Sequence, residues 1–136
     1  MELSDTYIHS FIHPRNELLL EMEQFAAEHH VPIMQLSGIE ALNQILRIQK
    51  PKHILEIGTA IGYSAIRMAM ALPETQIVTI ERDETRVTHA REFIARSTVA
   101  ERITVVEGDA LEVNVEDIQA TYDAIFIDAA KGQYQK

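Results

Sequence analysis

The chain has 136 residues, of which 46% are hydrophobic, contains no cysteine and carries a formal net charge of −9. This length and composition indicate one globular domain with a sizeable core. The absence of cysteine excludes disulfides and thiolate metal sites and fits a reducing, cytoplasmic location. No apolar run approaches the roughly 20 residues that span a bilayer, and the first residues, MELSDTYIHS, lack the pattern of a secretory signal. The negative charge disfavours non-specific binding to a phosphate backbone, but a local basic patch could still hold a nucleic-acid substrate.

The first 50 residues predict a helical cap. Ser4 or Asp5 could cap a short helix that ends near His13, because Pro14 follows. Apolar residues recur at helical spacing from 15 to 30, which predicts a second helix that Val31-Pro32 would end.

A third helix is predicted before Pro51. Ser37 and Glu40 have the spacing of a capping box at a helix N-terminus. The predicted apolar stripe of this helix comprises Ile39, Leu42, Ile45 and Leu46.

Strands and helices alternate from residue 51 to residue 136. The predicted strands are HILEI, QIVTIE, RITVVEGDA and YDAIFID. The predicted helices are YSAIRMAMAL and DETRVTHAREFIARS, with Asp83 as the N-cap of the latter and a weakly helical segment from Leu111 to Gln119. This order predicts an α/β fold with a parallel, Rossmann-like sheet and right-handed crossovers. A mixed antiparallel fold is the alternative.

The fourth predicted strand, YDAIFID, is apolar on both faces, which is typical of a central strand. The chain nevertheless stops soon afterwards, at AAKGQYQK. We therefore expect a fold truncated after its fourth strand, the N-terminal part of a longer protein. An uncovered apolar edge would be prone to self-association.

The stretch HILEIGTAIGYSAIRMAMAL joins the first strand to a helix through Gly58 and Gly62. Glycine permits positive φ and lets a ligand approach the backbone, and the helix N-terminus beyond supplies free N–H groups. Neither the dinucleotide fingerprint G-x-G-x-x-G nor a P-loop is present. The turn therefore favours a ligand without phosphates, such as S-adenosylmethionine. The alternative is that both glycines serve only the tight turn.

Two acidic residues lie at the ends of predicted strands, and ligands of open parallel sheets bind outside the carboxyl ends of strands. Glu81 is placed to accept both hydroxyls of a ribose, or it is a solvated charge that opens the next helix. Asp109, or a neighbouring backbone amide, could meet the adenine edge, or Asp109 caps the following helix.

From Met34 to Tyr134 the chain resembles the class I S-adenosylmethionine-dependent O-methyltransferases. The matching segments are LEIGTAIGYSA, TIERD, VEGDA and IFIDAAKGQY, and the subgroup is the cation-dependent one that includes catechol and caffeoyl-CoA O-methyltransferases. The helical segment NELLLEMEQFAAEHHVPIM is most similar to the bacterial branch, whose members methylate 5-hydroxyuridine at the wobble position of tRNA. The resemblance implies one methyltransferase domain over 1–136, with a helical cap over 1–50 and alternating strands and helices over 51–136.

The resemblance also implies which residues contact S-adenosylmethionine. Glu56 and Gly58 would lie beside its methionine part, and Ser64 would hydrogen-bond its carboxylate. Met34 would cover the cofactor and the substrate entrance, although an isolated methionine is often core filler. The complete set that we assign to the cofactor is Met34, Glu56, Gly58, Gly62, Ser64, Glu81, Asp109, Ala110 and Asp128, with Glu81 at the ribose and Asp109 and Ala110 beside the adenine.

The reacting centre is expected after the fourth strand, in IFIDAAKGQY. In the resembled family this aspartate, Asp128, binds Mg²⁺, and Lys131 acts as general base. Hard cations prefer oxygen ligands and can stabilise the oxyanion of an acceptor hydroxyl, and a lysine with a lowered pKa can accept its proton. The alternatives are a capping aspartate and a surface lysine. Because the family pattern takes its other metal ligands from beyond a fifth strand, we expect the 136-residue chain to be inactive or nearly so.

Several alternatives concern partners and substrates. His9 and His13 have a spacing that could hold a metal, but we favour surface or interface positions for them and for His29 and His30. The expected acceptor is tRNA 5-hydroxyuridine, with small catechol-like phenols as the alternative, and a homodimer is expected. A non-catalytic cofactor-binding module and a nicotinamide oxidoreductase are the competing functions.

Overall fold

The computed structural model describes residues 17–33, 36–114 and 121–127. Within them the elements alternate as predicted from residue 51 onward, after two helices. In chain order they are α1 (Glu17–Glu28), α2 (Leu36–Gln49), β1 (His53–Ile57), α3 (Tyr63–Ala71), β2 (Gln76–Glu81), α4 (Glu84–Arg96), β3 (Ile103–Glu107) and β4 (Ala124–Ile127). The short helix predicted to end near His13 lies outside these residues.

The four strands form one parallel sheet in the order β3-β2-β1-β4. The sheet grows from β1 towards β3 and then back past β1 to β4, so the topological switch point lies between β1 and β4. The carboxyl ends of all four strands meet at one edge, where open α/β sheets bind ligands. The predicted Rossmann-like parallel sheet is therefore confirmed.

Side chains on β1 and β2 are buried on both faces of the sheet. Ile54 and Ile77 face the helices, whereas Leu55 and Val78 form a separate cluster on the opposite face. Because side chains alternate along a strand, Glu56 lies on the helix-covered face with Ile54. A carboxylate there needs hydrogen-bond donors.

Strand β4 lies at an edge of the described sheet and pairs with β1 there. Its residues alternate between partly buried and exposed, and Ile125 and Ile127 are 63% and 56% exposed. The central position expected from the apolar sequence is thus not found among the described strands. None of the described strands pairs with the other edge of β4, and self-association through that edge stays a prediction.

Helices α1, α3 and α4 contribute buried side chains to one core with the sheet. In α1 these are Leu19, Met22 and Ala26. The helix ends at Glu28, two residues before the predicted end, and His30 adopts a positive φ of 56° in the turn that follows.

Three details of the predicted α2 are wrong. The helix begins at Leu36, so Ser37 lies inside it and is not its N-cap. Glu40 pairs instead with Arg67 of α3. Ile45 is 54% exposed and lies off the buried side of the helix, which Ile39 and Leu46 occupy.

Two other sequence expectations concern a weak helix and a membrane span. Ala110, Leu111 and Glu112 form a turn, so the described part of the weak helix predicted from Leu111 is not helical. No helix in the described ranges has the length and apolarity to cross a membrane.

Candidate functional site

The turn between β1 and α3 adopts the backbone conformations that its glycines predicted. Gly58 has a φ of +97° and Gly62 a φ of +92°, and Ala60 between them also has a positive φ, of 51°. The Gly58 amide donates to the carbonyl of Ile80 at 2.8 Å, which attaches the turn to the end of β2. The positive φ at both glycines explains their residue type without a ligand.

Gly62 is further constrained by helix α4. A Cβ on Gly62 would lie 3.3 Å from Cδ1 and Cγ1 of Ile94 and 3.6 Å from Cβ of Ala90. The Gly62 amide donates to the carbonyl of Thr59 at 2.9 Å. These contacts support a role for Gly62 in the tight turn itself, whereas its assignment to a cofactor stays a prediction.

The N-terminus of α3 begins directly after this turn, at Tyr63. Its N-cap, Gly62, makes no side-chain hydrogen bond to the helix. The amides of the first helical turn have no acceptors within the helix, and the macrodipole makes this end partly positive. The turn therefore presents donors and a partial positive charge beside the end of β1.

A chain of buried hydroxyls surrounds the carboxylate of Glu56, which is fully buried. The hydroxyl of Ser64 donates to one carboxylate oxygen, and Thr79 donates to the other at 2.6 Å. Thr59 Oγ1 lies 2.6 Å from Thr79 Oγ1. Since a hydroxyl has one proton and that of Thr79 goes to Glu56, Thr59 is the donor in this last contact.

Glu81 is the last residue of β2 and is only 1% exposed. Its Oε1 accepts from the Ala60 amide at 2.9 Å, and its Oε2 accepts from the Asp83 amide at 3.0 Å. The alternative of a solvated charge is therefore wrong. Asp83 itself caps α4 by accepting from the Arg86 amide at 3.1 Å, as predicted.

The end of β3 lies beside the end of β2, because the Gly108 amide donates to the carbonyl of Glu81 at 2.9 Å. Asp109 Oδ1 accepts from the Leu111 amide at 2.9 Å and so stabilises the turn that follows. Ala110 packs against the apolar cluster on the face of the sheet opposite the helices. Asp109 thus caps a turn rather than a helix, and its contact with adenine stays a prediction.

Met34, Asp128 and Lys131 lie outside the described residues, as do His9 and His13. Within the described ranges, no group of three or more histidine, aspartate or glutamate side chains could hold a metal ion. The expected magnesium site is therefore not represented there.

His29 and His30 are exposed, as expected. His29 stacks on the ring of Phe25 with centroids 4.0 Å apart, and its Nδ1 lies 3.0 Å from the Phe25 carbonyl oxygen. These contacts give His29 a structural role at the end of α1.

Sequence reasoning missed a polar network next to the glycine turn. The Tyr63 hydroxyl donates to Glu23 at 2.5 Å, and Arg67 donates to the Tyr63 oxygen at 3.0 Å and to Glu40 at 2.9 Å. Burial, followed by the hydrogen bond to Glu23, raises the pKa of Tyr63 to about 12. One signal was available, because Arg67 is the single charged residue of the apolar helix YSAIRMAMA, and such a buried charge needs a partner.

A cavity of about 500 Å³ lies at the opposite end of the sheet and is lined by Lys50, Lys52, Leu72 and Thr75, among others. These residues precede or flank the amino ends of β1 and β2. The cavity is therefore separate from the polar strand ends described above.

Comparisons with known proteins agree with this architecture. A sequence model of the family described as O-methyltransferase matches residues 9–136. Catechol O-methyltransferase of Niastella koreensis is 32% identical over 98% of the chain and 63% of its own length. Caffeoyl-CoA O-methyltransferase 1 of Arabidopsis thaliana is 32% identical over 98% of the chain and 55% of its own length.

Comparison with solved structures also finds an O-methyltransferase. The crystal structure of an O-methyltransferase from Bacillus cereus in complex with SAH superposes with a TM-score of 0.78 at 32% identity, covering 93% of the chain and 60% of that protein. The chain thus spans between 55% and 63% of the length of these proteins.

Proposed function

Because the chain belongs to the O-methyltransferase family, we propose that the protein transfers the methyl group of S-adenosylmethionine to an acceptor oxygen. The observation that carries this proposal is the buried Glu81 carboxylate at the carboxyl edge of a parallel sheet. It lies beside a glycine turn whose sequence lacks a phosphate-binding fingerprint. The SAH complex of the B. cereus O-methyltransferase supports the same cofactor, since SAH is the product left when S-adenosylmethionine gives up its methyl group.

Glu81 is assigned to the ribose. A carboxylate has about four acceptor positions, and the two backbone amides of Ala60 and Asp83 occupy one on each oxygen. One further position on each oxygen is enough for the two ribose hydroxyls. The same amides hold the carboxylate in place before the cofactor arrives, which lowers the entropic cost of binding.

Glu56 and Ser64 are assigned to the methionine part, together with Gly58. The single proton of the Ser64 hydroxyl is donated to Glu56, so Ser64 must turn away from Glu56 to donate to the cofactor carboxylate. The cofactor ammonium is the donor that can replace it on Glu56. Asp109 and Ala110 are assigned to the adenine, where the second oxygen of Asp109 can accept from the exocyclic amine.

Asp128 and Lys131 are assigned to the reacting centre on the strength of the family resemblance. Both follow β4, whose last residue Ile127 pairs with Ile57 at the end of β1. Asp128 would hold Mg²⁺, which when bound supplies a positive charge for the acceptor oxyanion. Lys131 would accept the proton of the acceptor hydroxyl.

The acceptor we favour is a catechol-like phenol, because the curated relatives include catechol and caffeoyl-CoA O-methyltransferases. The net charge of −9 also disfavours a polyanionic substrate. A second candidate is 5-hydroxyuridine of tRNA, which would become 5-methoxyuridine, and the resemblance of the helical segment NELLLEMEQFAAEHHVPIM to the bacterial tRNA branch favours it. Both acceptors place an acidic oxygen beside a second oxygen.

A methyl-transfer assay tests these assignments. Labelled S-adenosylmethionine is incubated with the longer protein expected to contain this chain and either a panel of catechols or bulk tRNA, with Mg²⁺ or with EDTA. Label in a catechol supports the first acceptor, and label in tRNA replaces it with the second. Cofactor binding without transfer to either acceptor would instead indicate a non-catalytic binding module.

A further inference from the structure

The glycine turn is connected to the two helices that precede the sheet by a continuous chain of polar contacts. Glu23 of α1 accepts from the hydroxyl of Tyr63, the first residue of α3. Arg67, one turn further along α3, donates both to the Tyr63 oxygen and to Glu40 of α2. One side chain of α3 thus contacts α1, and the next turn of the same helix contacts α2.

The central ion pair of this chain is buried. The side chains of Arg67 and Glu40 are 6% and 11% exposed, and they meet at 2.9 Å. Arg47 approaches the other oxygen of Glu40 at 3.4 Å and is 30% exposed. Removing one partner of a buried pair leaves an uncompensated charge, so α2 and α3 cannot separate at this point without a large cost.

The two residues that open α3 are held from different directions. Tyr63 is 2% exposed, and its hydroxyl reaches Glu23 of α1. Ser64 is 4% exposed and reaches to Glu56 of β1. A displacement of Tyr63 would therefore shift Ser64, because the two residues are adjacent in a rigid helical turn.

We propose that Tyr63 and Arg67 are positioning residues that couple the docking of α1 and α2 to cofactor binding at the glycine turn. This inference rests on the proposed use of S-adenosylmethionine. Coupling is reciprocal, so a rigidly attached α1 should favour cofactor binding, and a bound cofactor should in turn stabilise α1 against local opening.

The test uses Tyr63→Phe, which removes the hydroxyl and keeps the ring. The matched control is Arg96→Ala, which breaks another link from α1, the bidentate pair of Arg96 with Glu21 at 2.6 and 2.8 Å. Both side chains of that pair are about half exposed, so Arg96→Ala removes a surface contact of α1 and leaves the buried contacts of Ala90 and Ile94 with Gly62 in place. Calorimetry measures S-adenosylhomocysteine affinity, and hydrogen exchange of peptides from 17–28 is followed with and without the ligand.

We expect Tyr63→Phe to lower the affinity for S-adenosylhomocysteine by roughly 2- to 30-fold, the range found for residues that modulate coupling. It should also abolish the ligand-induced protection of α1 from hydrogen exchange. Arg96→Ala should retain both. Glu23→Ala removes the same hydrogen bond from the α1 side and should have the same two effects. It replaces Tyr63→Phe in the test if Tyr63→Phe folds poorly.

Two results overturn the inference in distinguishable ways. If the unaltered protein binds the ligand and Tyr63→Phe, or Glu23→Ala in its place, behaves like Arg96→Ala in both measurements, the network is only structural. If the unaltered protein does not bind S-adenosylhomocysteine, the proposed function fails, and the coupling inferred from it fails as well.

Discussion

Replacing Glu81 by glutamine separates the structural role of this side chain from its proposed role at the ribose. The two carboxylate oxygens accept one backbone amide each, the buried amide of Ala60 and the part-buried amide of Asp83. Glutamine has one oxygen and one NH₂ group, so in either orientation one amide faces a donor. An unsatisfied buried group costs about 1–3 kcal/mol, and the free energy of unfolding should fall by that amount.

Besides lowering stability, Glu81→Gln should weaken cofactor binding. Hydrogen bonds to a charged acceptor contribute about 1.5–3 kcal/mol, and glutamine removes the charge. The affinity for S-adenosylhomocysteine should therefore fall by about 10- to 150-fold. Urea denaturation measures the first effect and calorimetry the second, at a temperature where both variants are folded.

Glu74→Gln is the matched control, because it removes the same charge from an exposed residue near the opposite end of β2. It should change neither quantity appreciably. Reduced stability of Glu81→Gln with unchanged affinity would refute the ribose assignment. Unchanged stability would refute the inference that both amides depend on this carboxylate.

Four further predictions concern Gly62, Asp123, the proposed reacting centre and the edge of β4. Gly62→Ala should lower the unfolding free energy by about 1–2 kcal/mol from its positive φ alone, with additional crowding against Ile94, as measured by thermal unfolding. Asp123 accepts from the two amides that open β1, and those hydrogen bonds lower its pKa; its stabilisation is present above about pH 4 and is lost as the pH falls through the lowered value. Asp123→Asn should thus flatten the acid side of the stability profile. In the longer protein expected to contain this chain, Asp128→Ala should abolish Mg²⁺-dependent transfer, whereas Lys131→Ala should keep cofactor and metal binding and slow the chemical step by roughly 10²–10⁴-fold. Wild-type turnover of Lys131→Ala would contradict the general-base role. Light scattering should detect self-association through the edge of β4 or the expected homodimer, and a monomer at high concentration would exclude both.

The sequence by itself determined the local elements of this protein. The bounds of β1 and β2 match the predicted strands HILEI and QIVTIE residue for residue, because each run is short and rich in β-branched residues. The positive φ of Gly58 and Gly62 and the capping by Asp83 are equally local, since each depends on backbone groups a few residues away. The family resemblance supplied roles for Asp128 and Lys131 that no periodicity contains.

Only the tertiary structure decided which polar groups meet. Glu40 has the spacing of a helix cap, yet it pairs with Arg67, 27 residues away, because the buried guanidinium of Arg67 needs a carboxylate partner. The sequence left Glu81 open between a ribose acceptor and a solvated charge, and the fold excludes the solvated charge by burying the carboxylate against the Ala60 amide. Local patterns record burial and backbone conformation, whereas the choice of a distant partner depends on how helices and strands pack, which a single sequence does not display.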